Sequence, residues 1–137
     1  MFYGFEETRP LLLRNYRAIG MDLDKYVQSN HLRIICRYAE ATSLEDLLVD
    51  LRLELEALNP SLTVFDSISS IEHSSSPRGF RQFMIGVASI LRQHGRTALL
   101  TQTSPFSGGK DDASSAPYLS TIADAILMLD YSTRGYN

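Results

Sequence analysis

Leu62-Thr63-Val64-Phe65-Asp66-Ser67 is an apolar run that ends in an acid. A strand apolar at nearly every position is what burial on both faces of a parallel sheet requires. A carboxylate at the tip of such a strand can order Mg²⁺ through coordinated water beside phosphates, as in nucleotide hydrolases. The chain opens with a second segment of this kind, Phe2-Tyr3-Gly4-Phe5-Glu6-Glu7, a short strand followed by paired acids. A glycine-rich loop with a lysine would complete a phosphate cradle, but the 137 residues contain none. Gly108-Gly109-Lys110-Asp111 does not substitute, because Ser104 stands where the leading glycine belongs and Asp111 where a Ser or Thr belongs.

Outward from this strand, the hydrophobic pattern alternates between strand and helix. Thr8 and Pro10 open a helix in which Leu11, Leu12, Tyr16 and Ile19 recur at helical spacing, and Gly20 ends it. Asp22 to Asn30 reads as a second, short helix, and Leu32 to Tyr38 as a strand interrupted only by Arg33 and Arg37. Ser43-Leu44-Glu45-Asp46 begins an amphipathic helix with Leu44, Leu47, Leu48, Leu51, Leu55 and Leu58 on one face, stopped at Asn59-Pro60. After Asp66 the serine-rich stretch Ser67 to Ser76 reads as a turn. Pro77 to His94 is then a long helix with Phe80, Phe83, Met84, Val87, Ala88 and Leu91 inward and Gly95 closing it. Thr97 to Thr103 reads as a strand, Ser104 to Pro117 as a loop, and Ile122 to Tyr131 as a last apolar strand. Strands alternating with helices at these intervals predict an α/β fold, a mostly parallel sheet in a three-layer α/β/α arrangement.

Length and composition fit one domain spanning 1–137, with 44% hydrophobic and 21% charged residues. Thirteen basic and sixteen acidic side chains leave a formal charge of -3, which gives no net field for nucleic acid or anionic lipid. No apolar run approaches the roughly 18 residues of a membrane span, and the N-terminal residues lack a secretory pattern. Cys36, the single cysteine, lies in an apolar run and reads as a buried reduced thiol in a cytoplasmic protein. His31, His73 and His94 fall on different elements without the spacing of a zinc site. Arg78, Arg81, Arg92 and Arg96 could meet a phosphate or a neighbouring subunit, but exposed helix arginines are commonly solvated or paired.

In open parallel sheets the ligand site lies beyond the carboxyl ends of the strands. That rule gathers Glu6, Glu7, Asp66, Ser67, Gln102 and Thr103 along one edge. Asp66 would hold Mg²⁺ through water, one of Glu6 and Glu7 would polarise an attacking water, and Gln102 would sense a terminal phosphate by hydrogen bonding. The plain alternative is a set of strand ends that reach solvent.

Six segments carry a resemblance. They are Phe5 to Asn15, Ile34 to Glu40, Leu44-Glu45-Asp46, Phe65-Asp66-Ser67-Ile68-Ser69, Phe80 to Val87, and Leu119-Ser120-Thr121-Ile122-Ala123-Asp124. Together they resemble the KaiC branch of the RecA-like ATPases, and within it the second of two ATPase domains, over nearly the whole chain. The resemblance implies a RecA-like core truncated at both ends, without the Walker A loop and the C-terminal strands. It implies Glu6 and Glu7 as the catalytic pair, Asp66 as the Walker B acid binding Mg, and Ser120 and Thr121 as sites of self-phosphorylation, while Ser67 and Gln102 are read as nucleotide-sensing from their place at the strand ends. ATP and Mg would be the ligands, and a homo-oligomer, hexameric in the family, the assembly, with clock or signalling proteins as partners. His73 and Ser115-Ala116-Pro117 depart from the family pattern. The expectation is a core ATPase and autokinase fragment that does not hydrolyse ATP unaided. The alternative is a non-enzymatic, self-associating interaction module joining a clock or signalling assembly.

Overall fold

A computed structural model describes residues 1–103 and 116–129. Strands β1 (Phe2–Gly4), β2 (Ile34–Cys36), β3 (Leu62–Asp66) and β4 (Thr97–Leu100) form one sheet in the order β2-β1-β3-β4, and every pairing is parallel. Phe2 is in register with Ile34 and Val64, Tyr3 with Ile35 and Phe65, and Gly4 with Cys36 and Asp66. Because successive side chains of a strand point to opposite faces, Tyr3, Ile35, Phe65 and Leu100 share one face. Phe2, Gly4, Ile34, Val64, Asp66 and Leu99 share the other.

The helices are α1 (Arg9–Ala18), α2 (Asp24–Gln28), α3 (Leu44–Leu58), α4 (Ile68–Ser74), α5 (Pro77–Gln93) and α6 (Ala116–Leu119). Ser43 caps α3 by accepting from the Asp46 N–H at 3.1 Å, and Asn59 ends it in a left-handed conformation. Leu47, Leu51 and Leu55 form its buried stripe. Ser76 caps α5 in the same manner through Gly79 N–H, and Phe80, Phe83, Met84, Val87 and Leu91 are buried. These two helices pack on the Tyr3 face, and the core there joins Tyr3, Phe5, Phe65, Ile68, Ile71 and both helix stripes. Gly86 sets how closely they meet: a Cβ at this position would stand 2.9 Å from Leu48 Cδ1.

The α/β class with a parallel sheet is as the sequence predicts, and three details differ. Ser67 to Ser76 is not a turn but largely helix, because Ile68 and Ile71, spaced by three, are both buried against the core. The serine hydroxyls of Ser74 and Ser75 bond back to the Ile71 carbonyl at 3.3 and 2.7 Å rather than breaking the helix. The last expected strand, Ile122 to Tyr131, is not a strand over its described residues 122–129, and Leu127, Met128 and Leu129 are 88%, 89% and 98% exposed. Its remainder, with the expected loop 104–115, lies outside the described residues. Finally, β3 is buried on one face only. Thr63 and Phe65 are buried, while Leu62 is 45% exposed and, on the same face, Leu99 of β4 is 52% exposed. On this second face α1 covers the β1 and β2 side of the sheet, leaving the third layer partial.

Candidate active site

β1 and β3 are neighbours, so their carboxyl ends deliver acids to one place. The Phe5 N–H donates to the Asp66 carbonyl at 3.1 Å, extending the pairing one residue past the strand and fixing where Glu6 begins. A pocket of about 160 Å³ opens at this rim on the α1 side of the sheet. It is lined by Glu6, Glu7 and Asp66, together with Gly4 and residues of α1 that include Asn15 and Tyr16. Among the described residues no lysine or arginine lines it, so the field of three carboxylates favours a cation.

Each acid is oriented by a neighbour. Ser67 Oγ donates to Glu6 Oε1 at 2.8 Å, tying the end of β1 to the end of β3. Thr101 Oγ1 donates to Asp66 Oδ1 at 2.5 Å, so the residue just after β4 orients the strand-tip carboxylate. Asn15 Nδ2 lies 3.3 and 3.4 Å from the two Glu7 oxygens. Gly4 keeps this rim open beside the Phe2 ring: a Cβ there would stand 3.1 Å from that ring, which would have to give by a few tenths of an ångström. Among the described residues no three of His, Cys, Asp or Glu converge tightly enough to clasp a metal ion directly. An ion held here would retain much of its water, which suits Mg²⁺ bound by one or two carboxylates and phosphate oxygens.

The remaining sequence-predicted residues divide. Ser67 is buried and serves Glu6. Gln102 Nε2 donates to Glu72 Oε2 of α4 at 2.8 Å, and Thr103 is bound to Ser69, so this strand end is tied to α4 and does not line the acid pocket. Ser120 and Thr121 are exposed at the end of α6, away from the pocket lining, with Thr121 Oγ1 donating to the Tyr118 carbonyl at 2.7 Å. Sequence reasoning missed Thr101 and Asn15. Thr101 directly precedes Gln102 and carries a hydroxyl at the same sheet edge, which was the available signal.

On the other face of the sheet, under α3, lies a half-buried polar network. Tyr3 OH donates to Asp50 Oδ2 at 2.7 Å, and Arg37 Nε donates to the same oxygen at 2.9 Å. Burial, reinforced by Asp50, pushes the Tyr3 hydroxyl far above its ordinary pKa. Burial works to lower the Arg37 pKa, but its hydrogen bond and charge pairing with Asp50 outweigh this and raise it. The network anchors β1 and β2 to α3 and leaves the acid pocket to the opposite face.

A family model described as "ATPase: KaiC" matches residues 1–137. The chain is 37% identical over 132 residues to the circadian clock oscillator protein KaiC of Synechococcus elongatus, and 35% identical over 131 residues to that of Parathermosynechococcus lividus. It is 34% identical over 131 residues to the circadian clock protein KaiC3 of a Synechocystis species. Each alignment covers 96% of this chain and 24 to 26% of the relative, so the chain spans about a quarter of the length of these proteins. With a parallel α/β sheet, acids gathered at the carboxyl ends of its strands and a family match along its whole length, this chain belongs to the KaiC ATPase family.

Proposed function

We propose that these residues form the catalytic and cation-binding rim of an ATP-hydrolysing domain. The observation that carries the reading is the pocket shared by Glu6, Glu7 and Asp66 at the ends of adjacent parallel strands. Asp66, held through one oxygen by Thr101, keeps its other oxygen for a water of a hydrated Mg²⁺. Bound there, the ion would neutralise charge developing on the phosphates. Glu6 is already occupied by Ser67, so Glu7, turned by Asn15, is the better placed of the pair to accept a proton from the attacking water. In that step the water oxygen bonds to the terminal phosphorus, the bridging P–O bond breaks, and the proton passes to the carboxylate. Ser67 acts through Glu6. Gln102, fixed to Glu72, would report the nucleotide state to α4. Ser120 and Thr121, exposed at the end of α6, would take the phosphoryl group in an autokinase reaction.

A pocket of about 160 Å³ suits a hydrated ion and one phosphate, not a whole nucleotide, which needs several hundred Å³. The phosphate-cradling loop is likewise absent from these residues. The 137-residue chain is therefore expected to bind MgATP only weakly and to have no useful hydrolysis. A place in a clock assembly is suggested by the relatives' names, and homo-oligomer formation and signalling partners by the family resemblance; both belong to the same proposal. The chain's described helices include none long and apolar enough to cross a membrane, which agrees with a cytoplasmic setting. Calorimetry with Mg²⁺ and ATP tests the reading. The expected dissociation constant is on the order of a millimolar, with the signal lost in Asp66→Asn. Tight binding, or binding indifferent to Asp66→Asn, overturns it.

A further inference from the structure

At the β2 margin of the sheet a groove of about 570 Å³ runs between the two helix layers. The start of α1, with Arg9, and Val27 of α2 form one side, Glu54 and Leu58 of α3 form the other, and β2 lies between them. Among the described strands β2 pairs with β1 alone, so its second edge is open. The Arg33 carbonyl and Arg37 N–H both bond to β1, and strand alternation therefore turns the backbone groups of Ile34 and Cys36 away from β1, toward the groove they help line. The Cys36 carbonyl is taken by Arg37 Nη1 at 3.2 Å. The Ile34 N–H, the Ile34 carbonyl and the Cys36 N–H have no partner among the described residues. At roughly 3.3 Å per residue, about three or four residues of extended chain would span this edge.

The walls decide which chain fits. Three guanidinium groups line the groove, those of Arg9, Arg33 and Arg37. Arg33 pairs with Glu54 and Arg37 with Asp50, both on the α3 side, whereas Arg9 has no ion pair among the described residues. Glu7, close to Arg9 in sequence, turns instead to Asn15 and lines the acid pocket. The unanswered charge is therefore positive and lies on the α1 side, while the α3 side offers apolar Leu58 beside satisfied ion pairs. A strand laid along β2 would show alternate side chains to the two sides. Acids facing Arg9 and aliphatic groups facing Leu58 match these walls.

We infer that the β2 edge is a docking site for an extended acidic segment of a different protein, which adds to the sheet as a further strand. The three free backbone groups of Ile34 and Cys36 supply the ladder, Arg9 takes a carboxylate of the segment, and Leu58 receives the aliphatic side chains of its other face. Main-chain hydrogen bonds provide affinity in this mode of binding, and alternate side chains provide specificity. A small anion would answer Arg9 but leave the strand edge unpaired, and a basic segment would meet Arg9 with like charge. The inference stands apart from the nucleotide proposal, since the groove contains none of Glu6, Glu7 and Asp66, and either can fail alone.

Three synthetic hexapeptides test it: one alternating Glu and Val, one alternating Lys and Val, and the Glu-Val peptide with its backbone nitrogens methylated. In amide NMR spectra of the 137-residue chain, the Glu-Val peptide should shift the Ile34 and Cys36 amides and protect them from hydrogen exchange. The Lys-Val and N-methylated peptides should bind at least about tenfold more weakly. Arg9→Glu should weaken the Glu-Val peptide by at least about tenfold and strengthen the Lys-Val peptide. Arg9 is exposed and an acid suits the first turn of a helix, so circular dichroism should show this variant folded like the parent. A Glu-Val peptide that leaves those two amides unchanged, a Lys-Val peptide that binds equally well, or an N-methylated peptide as tight as its parent overturns the proposal. Sodium glutamate that moves the same amides with the peptide's affinity would mean a simple anion site. Protection of Ile34 that rises with chain concentration alone would mean that a second copy fills the groove, and either result also overturns the proposal.

Discussion

The two faces of the sheet carry different burdens. On the Tyr3 face, α3, α4 and α5 close over Tyr3, Phe65, Leu47, Leu51, Phe80 and Val87, all almost wholly buried. On the Asp66 face, α1 reaches only the β1 and β2 side, leaves Leu62 and Leu99 half-exposed, and opens the acid pocket at the strand ends. Stability is concentrated where the helices are long, and reactive groups collect where coverage is thin. A single register explains both: Gly4 and Asp66 are paired and face the pocket, while their neighbours Tyr3 and Phe65 are paired and face the core.

Substitutions that separate the faces should differ widely in cost. Phe80→Ala removes a buried ring under α5 and should destabilise the chain by about 3–5 kcal/mol, read as a lower denaturant midpoint. Tyr3→Phe keeps the ring and loses the bond to Asp50, costing about 1 kcal/mol at neutral pH. This variant also tests the alkaline limb. Burial and Asp50 raise the Tyr3 pKa in the folded chain, so its contribution is complete below the unfolded value of about 10 and is lost as pH rises toward the folded value. The parent should therefore lose stability more steeply than Tyr3→Phe above that pH, and their difference should be flat from neutrality up to it. Leu99→Ser, on the thinly covered face, should change stability by less than about 0.5 kcal/mol. A large loss there would mean that this face is packed more tightly than its exposure indicates.

Local patterns in the sequence were sufficient for what depends on them. The leucine stripe of α3 and the aromatic stripe of α5 follow from 3.6-residue spacing, and Ser43 and Asn59 mark the ends of α3. Asp66 stands out because an acid interrupts an apolar strand. What escaped the sequence is non-local. Ser67 meets Glu6 across 61 residues and Thr101 meets Asp66 across 35, contacts that exist only because β1 lies beside β3 and β3 beside β4. Turn-like composition concealed α4, whose helix is decided by burial of Ile68 and Ile71. The opposite error produced a strand at Ile122 to Tyr131, whose described, apolar β-forming residues 122–129 pair with no strand. Propensity proposes an element, and a partner surface determines whether it forms.

The central claim is that the acid pocket receives a hydrated divalent cation. Paramagnetic broadening by Mn²⁺, followed in amide NMR spectra of the 137-residue chain, examines it directly. Broadening should begin at Glu6, Glu7, Asp66 and Ser67 and vanish there in Asp66→Asn. Broadening that starts at other acidic residues, or that persists at the pocket in Asp66→Asn, would contradict the account.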